Sequence, residues 1–156
     1  MDSIDKRILR LLQQDSTLSV SAVAEHVGLS QTPCWKRIQK LERSGVIRSR
    51  VALLDADALG LPITSFVSVR TNRHEPEWLE KFAEGVSQLP EIVEVYRMSG
   101  DIDYLLKIVA PDIAGYDRIY KRLISIVEIY DVSSAFAMER MKVTTALPLD
   151  YVATVD

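Results

Sequence analysis

Apolar positions in the first third of the chain recur at helical spacing three times. Ile4, Ile8, Leu9 and Leu12 line one face of a first helix. Asp2, with Asp5 three residues on, has the pattern of a capping box at its start. Ser19 is an N-cap type for a second, short helix that turns Val20, Val23, Ala24 and Val27 inward. Gly28 stands where that helix must end, because glycine takes the left-handed conformation at little cost. After Gly28-Leu29 comes Ser30, the next N-cap type, so a three-residue turn containing glycine separates the two helices. That is the helix-turn-helix connection. Pro33 falls in the first turn of the third helix, where backbone N–H groups have no intrahelical partner, and Gly45 ends it. Val46 to Val51 reads as a short strand, a wing that carries Arg48 and Arg50.

At about 100° per residue, Cys34, Ile38 and Leu41 fall within roughly 60° of one another on the third helix and form its buried stripe. The opposite face carries Thr32, Lys36, Gln39, Lys40 and Arg43, with neither an acid nor a large apolar group. Amides, hydroxyls and cations pointing outward suit the DNA major groove, whose floor presents acceptors and whose walls are phosphates. A solvated face on a bundle helix would show the same cations; the short glycine turn and the order of three helices favour DNA. Gln31 and Trp35 border this face; Thr32, Lys36, Gln39 and Lys40 are expected to read or flank bases, and Arg37, Arg43, Arg48 and Arg50 to contact phosphate or support the helix. Trp35 is expected to pack against the first helix, the alternative being contact with sugar and thymine methyl.

From Ile63 onward the pattern changes. Ile63 to Arg70 is a β-branched and aromatic strand, and Glu75 to Leu89 an amphipathic helix burying Trp78, Leu79, Phe82, Val86 and Leu89, stopped by Pro90. Ile92 to Met98 is a second strand, Ser99-Gly100-Asp101 a turn, and Ile102, Tyr104, Leu106 and Ile108 one face of a third strand. Pro111-Asp112 opens a helix with Ile113, Tyr116, Ile119, Tyr120, Leu123 and Ile124 on one face. Asp131 to Val143 reads as a last strand, its alternation changing phase near Arg140-Met141, as at a bulge. The order βαββαβ is the split, ferredoxin-like arrangement. Two helices cover one face of such a sheet; the other is apolar enough, Phe66 included, to predict self-association through it.

Charge sharpens the division. Residues 1–50 hold nine Lys/Arg against five Asp/Glu, and residues 51–156 ten against seventeen, within a net charge of −3. Residues 31–50 hold six cations against one acid, Glu42. Opposite signs in the two segments point to different partners, a polyanion for the basic one. At 156 residues with 47% hydrophobic residues, the chain can build a core without disulfides, and its one cysteine, Cys34, has no partner for a bridge. An acidic start and the lack of an 18-residue apolar run predict a cytoplasmic protein with no membrane span.

Candidate small-molecule chemistry is concentrated in Met98-Ser99-Gly100-Asp101-Ile102-Asp103-Tyr104. Exposed amides and two carboxylates at a glycine turn could grip the charged ends of an α-amino acid; equally, the aspartates could satisfy local N–H groups of a hairpin. His26, His74 and Cys34 have no metal spacing, and no nucleophile-base set, P-loop or dinucleotide fingerprint is present. Met138 and Met141 are expected in a core or interface, and Ser133-Ser134 on a strand surface.

Three stretches together resemble the Lrp/AsnC family of bacterial transcription regulators: Gly28-Leu29-Ser30, Thr32-Pro33-Cys34-Trp35-Lys36-Arg37-Ile38-Gln39-Lys40-Leu41-Glu42, and Ser99-Gly100-Asp101-Ile102-Asp103-Tyr104-Leu105-Leu106-Lys107. The resemblance implies an α+β chain with a winged helix-turn-helix domain over residues 1–51, a linker over 52–61 and a ferredoxin-like βαββαβ (RAM) domain over 62–156. It implies a homodimer that assembles to an octamer, binds double-stranded DNA, and takes a small amino acid as effector with no other cofactor. The effector residues it points to are Met98, Gly100, Asp101, Asp103 and Tyr104, with Ala135, Phe136 and Ala137 opposite. Trp35, Tyr96-Arg97-Met98 and Phe136-Ala137-Met138-Glu139 look like the cysteine-responsive branch. The expected protein is therefore a non-enzymatic, sequence-specific regulator. The alternatives are an amino-acid sensor acting through protein partners and a small dimeric ferredoxin-like enzyme.

Overall fold

The computed structural model describes residues 1–153, which fall into two compact units: Met1–Leu53 with the chain from Lys142 on, and Leu54–Met141.

The first unit is built on α1 (Ser3–Gln14), α2 (Val20–Val27) and α3 (Gln31–Arg43). The expected caps organise two of the three helix starts. The Asp5 N–H donates to Asp2 at 2.8 Å and the Asp2 N–H to Asp5 at 3.2 Å, a complete capping box; the Ala22 N–H donates to the Ser19 hydroxyl at 3.1 Å. Ser30 precedes α3 but makes no side-chain cap bond. Pro33 holds the third helical position and has no N–H to offer. Gly28, at φ +73°, closes α2, and its neighbour Leu29 returns an N–H to Ala24 at 2.9 Å. Ile8, Val23, Cys34 and Ile38 lie at the centre of this core, each 2% exposed or less.

The second unit runs β1 (Ile63–Arg70), α4 (Pro76–Ser87), β2 (Ile92–Arg97), β3 (Tyr104–Ala110), α5 (Ile113–Ile126) and β4 (Asp131–Phe136). Its sheet is antiparallel in the order β2-β3-β1-β4, with Asp112 capping α5 through the Gly115 N–H at 2.5 Å. Val67, Val69, Leu106 and Ile108 are buried against Phe82 and Leu123 from the two helices. Phe66, Leu105 and Lys107 alternate onto the opposite face, where Phe66 remains 40% exposed.

Several expectations differ from what is found. Val46 to Val51 is no strand, since none of the ladders formed by the described residues includes it. β4 stops at Phe136 rather than Val143, and Met138 and Met141 are 96% and 90% exposed instead of joining a core. Beyond Phe136 the Ala137 N–H still reaches the neighbouring strand, at the Thr64 carbonyl. Leu79, Ile113 and Ile124 face outward, because a two-helix layer buries a narrower stripe than the apolar run suggests. The division that gave 62–156 to one domain also changes at its end. Leu147 exchanges two hydrogen bonds with the Gln13 amide, Arg10 pairs with Asp150 at 2.6 Å, and Leu149 packs on the core of the first unit.

Candidate functional site

The outward face of α3 is cationic as the spacing predicts. Gln31, Thr32, Lys36, Lys40 and Arg43 are exposed, with Arg48 just beyond the helix. Among the described residues no ion pair engages Lys36, Lys40, Arg43 or Arg48. Trp35 is 48% exposed, and among the described residues its ring stacks on no other. It is one residue round the helix from Cys34, and the buried stripe is too narrow to take both.

Three other members of the expected set are held by neighbours. The Arg37 guanidinium donates through one nitrogen to Asp2 at 2.5 Å and to Asp5 at 2.7 Å. Arg50 pairs with Glu42 at 3.1 Å and also reaches the Ser16 carbonyl. Gln39 donates to the other Glu42 oxygen at 2.8 Å. Glu42, the lone acid of the basic stretch, thus ties an amide and a cation together. The box to Asp5 and the Arg37 side chain hold the Asp2 carboxyl below its ordinary value. Burial pushes the Cys34 thiol up, which leaves it protonated and inert behind the helix.

The residues expected to hold an effector are placed less simply. Met98, Gly100 and Asp101 are exposed at the β2–β3 turn, Gly100 at φ +120°, a value that disfavours any side chain. Asp103 is committed locally: its carboxylate accepts the Thr71 N–H at 2.8 Å, and its carbonyl accepts the Met98 N–H at 2.8 Å. Tyr104 is 8% exposed and packs its ring among Trp78 and Phe82, with centroids 6.0 and 4.9 Å away.

Ala135, Phe136 and Ala137 lie elsewhere. Tyr104 pairs with Val69 near one end of β1, whereas Phe136 pairs with Ser65 and Ala137 bonds to Thr64 toward the other. At about 3.4 Å per residue, the two groups are on the order of 15 Å apart along one sheet. Phe136 packs edge-on to Tyr116 at 4.8 Å, and the Tyr116 hydroxyl bonds to Ser134. Ala137 lines a cleft of about 310 Å3 with Asp57, Thr64 and Arg140, where Arg140 grips both oxygens of Asp57 at 2.8 and 2.9 Å. A larger cavity, about 560 Å3, opens in the first unit between the end of α1, residues 46–53 and Leu147. The Gly100 turn borders neither.

Sequence reasoning missed the roles of Asp2, Asp5 and Glu42 as partners of Arg37, Arg50 and Gln39. The capping-box spacing was visible, and two carboxylates in one box were the signal that something cationic lay nearby. No cluster of metal-ligating side chains occurs among the described residues, and no helix there is long and apolar enough to cross a membrane.

Two family models match. One for winged helix-turn-helix DNA-binding covers residues 1–48, and one for the Lrp/AsnC ligand binding domain covers 64–147. The DNA-binding transcriptional activator DecR of Escherichia coli is 46% identical over 96% of this chain and 99% of its own length. The glutamate uptake regulatory protein of Zymomonas mobilis is 48% identical over 96% and 91%. Among solved structures, an AsnC family transcriptional regulator from Agrobacterium tumefaciens is 62% identical, with a TM-score of 0.95 over 98% of this chain and 100% of that one. A Neisseria meningitidis transcriptional regulator in complex with L-Met is 31% identical, with a TM-score of 0.93 over 98% and 99%.

Proposed function

This chain belongs to the Lrp/AsnC family, and from that membership we propose that it is a sequence-specific DNA-binding transcription regulator that answers to a small amino acid. The observation that carries this is the α2–Gly28–α3 unit with its outward cations, in a segment that matches a DNA-binding model from end to end. Lys36, Lys40, Thr32 and Gln31 read or flank bases. Trp35 lies flat against sugar or a thymine methyl, and Arg43 and Arg48 neutralise phosphates. Gln39 and Arg50 reach DNA only by leaving Glu42. Relatives named as a transcriptional activator and a transcriptional regulator, each matched over nearly its full length, support a non-enzymatic role, exercised in the cytoplasm where the DNA is.

The effector contacts are Met98, Gly100 and Asp101 of one copy facing Ala135, Phe136 and Ala137 of another. Asp103 and Tyr104 shape the turn from behind. The separation of the two groups along a single sheet favours this division, and the Neisseria relative's complex with L-Met supports an amino acid as the ligand class. The open sheet face around Phe66 joins two copies, and dimers close into an octamer. The small Ala135 and Ala137, with Tyr96-Arg97-Met98, favour cysteine as the effector.

Selection of DNA fragments from a random-sequence pool, followed by anisotropy titration across a salt series, tests the first part. A steep fall of affinity with salt and a preferred sequence are expected. Failure to retain any duplex at low salt would refute DNA binding. Thermal shifts with each of the twenty amino acids, beside sedimentation, test the second. If no amino acid moves either readout, the effector reading falls while DNA binding stands.

A further inference from the structure

We infer that Asp2 and Asp5 are positioning residues for the DNA-facing helix: the capping box of α1 also anchors α3, through Arg37. The inference rests on the DNA-binding reading above, and deepens it by giving Arg37, expected to contact phosphate or support the helix, the second of those roles.

The atoms divide the work. Asp2 gives Oδ1 to the Asp5 N–H and Oδ2 to Arg37; Asp5 gives Oδ2 to the Asp2 N–H and Oδ1 to Arg37. Each carboxylate spends one oxygen closing α1 and one holding α3. A serine at Asp2 would close the helix equally well, but its single oxygen could not also carry a charge to the guanidinium. Asp5 is 7% exposed, and a charge buried that deep is costly without a partner. The partner it has lies on the neighbouring helix.

Position on α3 gives the clasp its consequence. Arg37 stands between Lys36, on the outward face, and Ile38, 2% exposed in the core. The contacts of Cys34, Ile38 and Leu41 are non-directional, so they hold the buried stripe inward while leaving rotation and sliding soft. Charge-assisted hydrogen bonds to two fixed oxygens are directional and resist both. A side chain that reads a base edge has to be held within about 0.5 Å and 10–20° of its productive place, by neighbours whose own rotamers are locked. With both short contacts made to one guanidinium nitrogen, Arg37 is locked in this way.

The test uses Asp2→Asn, Asp5→Asn, their double variant and Arg37→Gln in the full chain. Asparagine keeps the oxygen that caps α1, so the helix survives, as far-UV circular dichroism would confirm. The probes are a fragment selected by the unaltered protein and a random duplex of equal length. The double variant is expected to bind the selected fragment about tenfold more weakly and the random duplex equally well, with the salt slope unchanged. Arg37→Gln should behave alike and add little to the double variant. In the DNA-free protein, amide exchange along α3 should quicken in all the variants.

A salt slope reduced by about one in Arg37→Gln, with both duplexes weakened together, would make Arg37 a phosphate contact and overturn the inference. So would unchanged exchange and selectivity in the double variant. If the unaltered protein retains no DNA, it is the DNA-binding reading that fails, and the exchange measurement alone then decides whether the clasp holds α3.

Discussion

The side chains proposed to meet DNA all project from α3 and the residues just after it, and one chain displays them complete. Those proposed to meet an amino acid are divided between the β2–β3 turn and the far end of β4, which one sheet holds apart. The difference follows from the elements. A helix brings residues three and four apart onto one face, so a short sequence yields a whole surface. A strand carries its neighbours steadily away, and an antiparallel sheet can gather distant segments only where their ends coincide. Here they do not, and a site made from both groups needs a second copy.

The largest effect that would sharpen this contrast is on the scaffolds themselves. Phe82, 1% exposed, stacks on Trp78 and supports Tyr104 behind the turn. Phe82→Ala is expected to cost about 3–5 kcal/mol of stability and to abolish any amino-acid-induced shift. Chemical denaturation followed by hydrogen exchange should show the loss confined to the second unit, with amides of α1 to α3 unaffected. A uniform loss across both would mean the cores fold as one.

Sharing of the effector site between copies comes next. Asp101→Ala and Ala137→Trp should each remove the stabilisation that saturating amino acid confers, about 2.7 kcal/mol at a hundredfold excess over Kd. Mixed and allowed to exchange subunits, the two variants should regain part of it, because some sites would then draw an intact turn from one chain and an intact strand end from the other. No recovery on mixing would break the comparison and return the site to a single chain. DNA contact is expected to show no such complementation. Lys36→Ala should weaken binding of a selected operator by about 1–3 kcal/mol if it touches a base, read by gel-shift titration.

Much of this was legible in the residues. The three helices, the glycine turn and the order βαββαβ follow from spacing and capping, which are local. What escaped was set by neighbours. Reading the helix alone leaves Arg37 between a phosphate contact and a support for the helix, because it cannot see Asp2 and Asp5 beside it, thirty-odd residues away in sequence. Alternation through Met138 and Val143 imitates a strand, yet the ladder ends at Phe136 because pairing, not pattern, makes a strand. Tyr104 falls on a strand face as its alternation predicts, but its ring is core rather than open to an effector, since β3 begins there against Trp78 and Phe82. Which ends of the sheet coincide is a matter of register across β1, and no single segment encodes it.

The smallest expected effect again separates the two units. In the first, the Asp2 carboxyl is lowered from 3.8 by its bond to the Asp5 N–H and then by Arg37, and Asp15 by the Thr17 hydroxyl and N–H. In the second, Glu94 is lowered from 4.5 by Lys107 and then by the Tyr96 hydroxyl, while the same bond raises Tyr96 above 10.0. A carboxyl lowered by folding contributes stability that is fully present above its unfolded value and is lost as pH falls through the folded one. The second unit should therefore begin to weaken near pH 4.5 and the first nearer 3.8. A phenol raised by folding behaves in the opposite sense, its contribution present below pH 10.0 and lost as pH rises beyond it. Tyr96→Phe should remove that alkaline loss from the second unit, and Asp2→Asn should flatten the acid limb of the first. Amide exchange resolved by unit from pH 3 to 11 would measure both. If Asp2→Asn leaves the acid limb of the first unit unchanged, the Asp2 half of the clasp contributes nothing to its stability, and Asp5 alone holds Arg37.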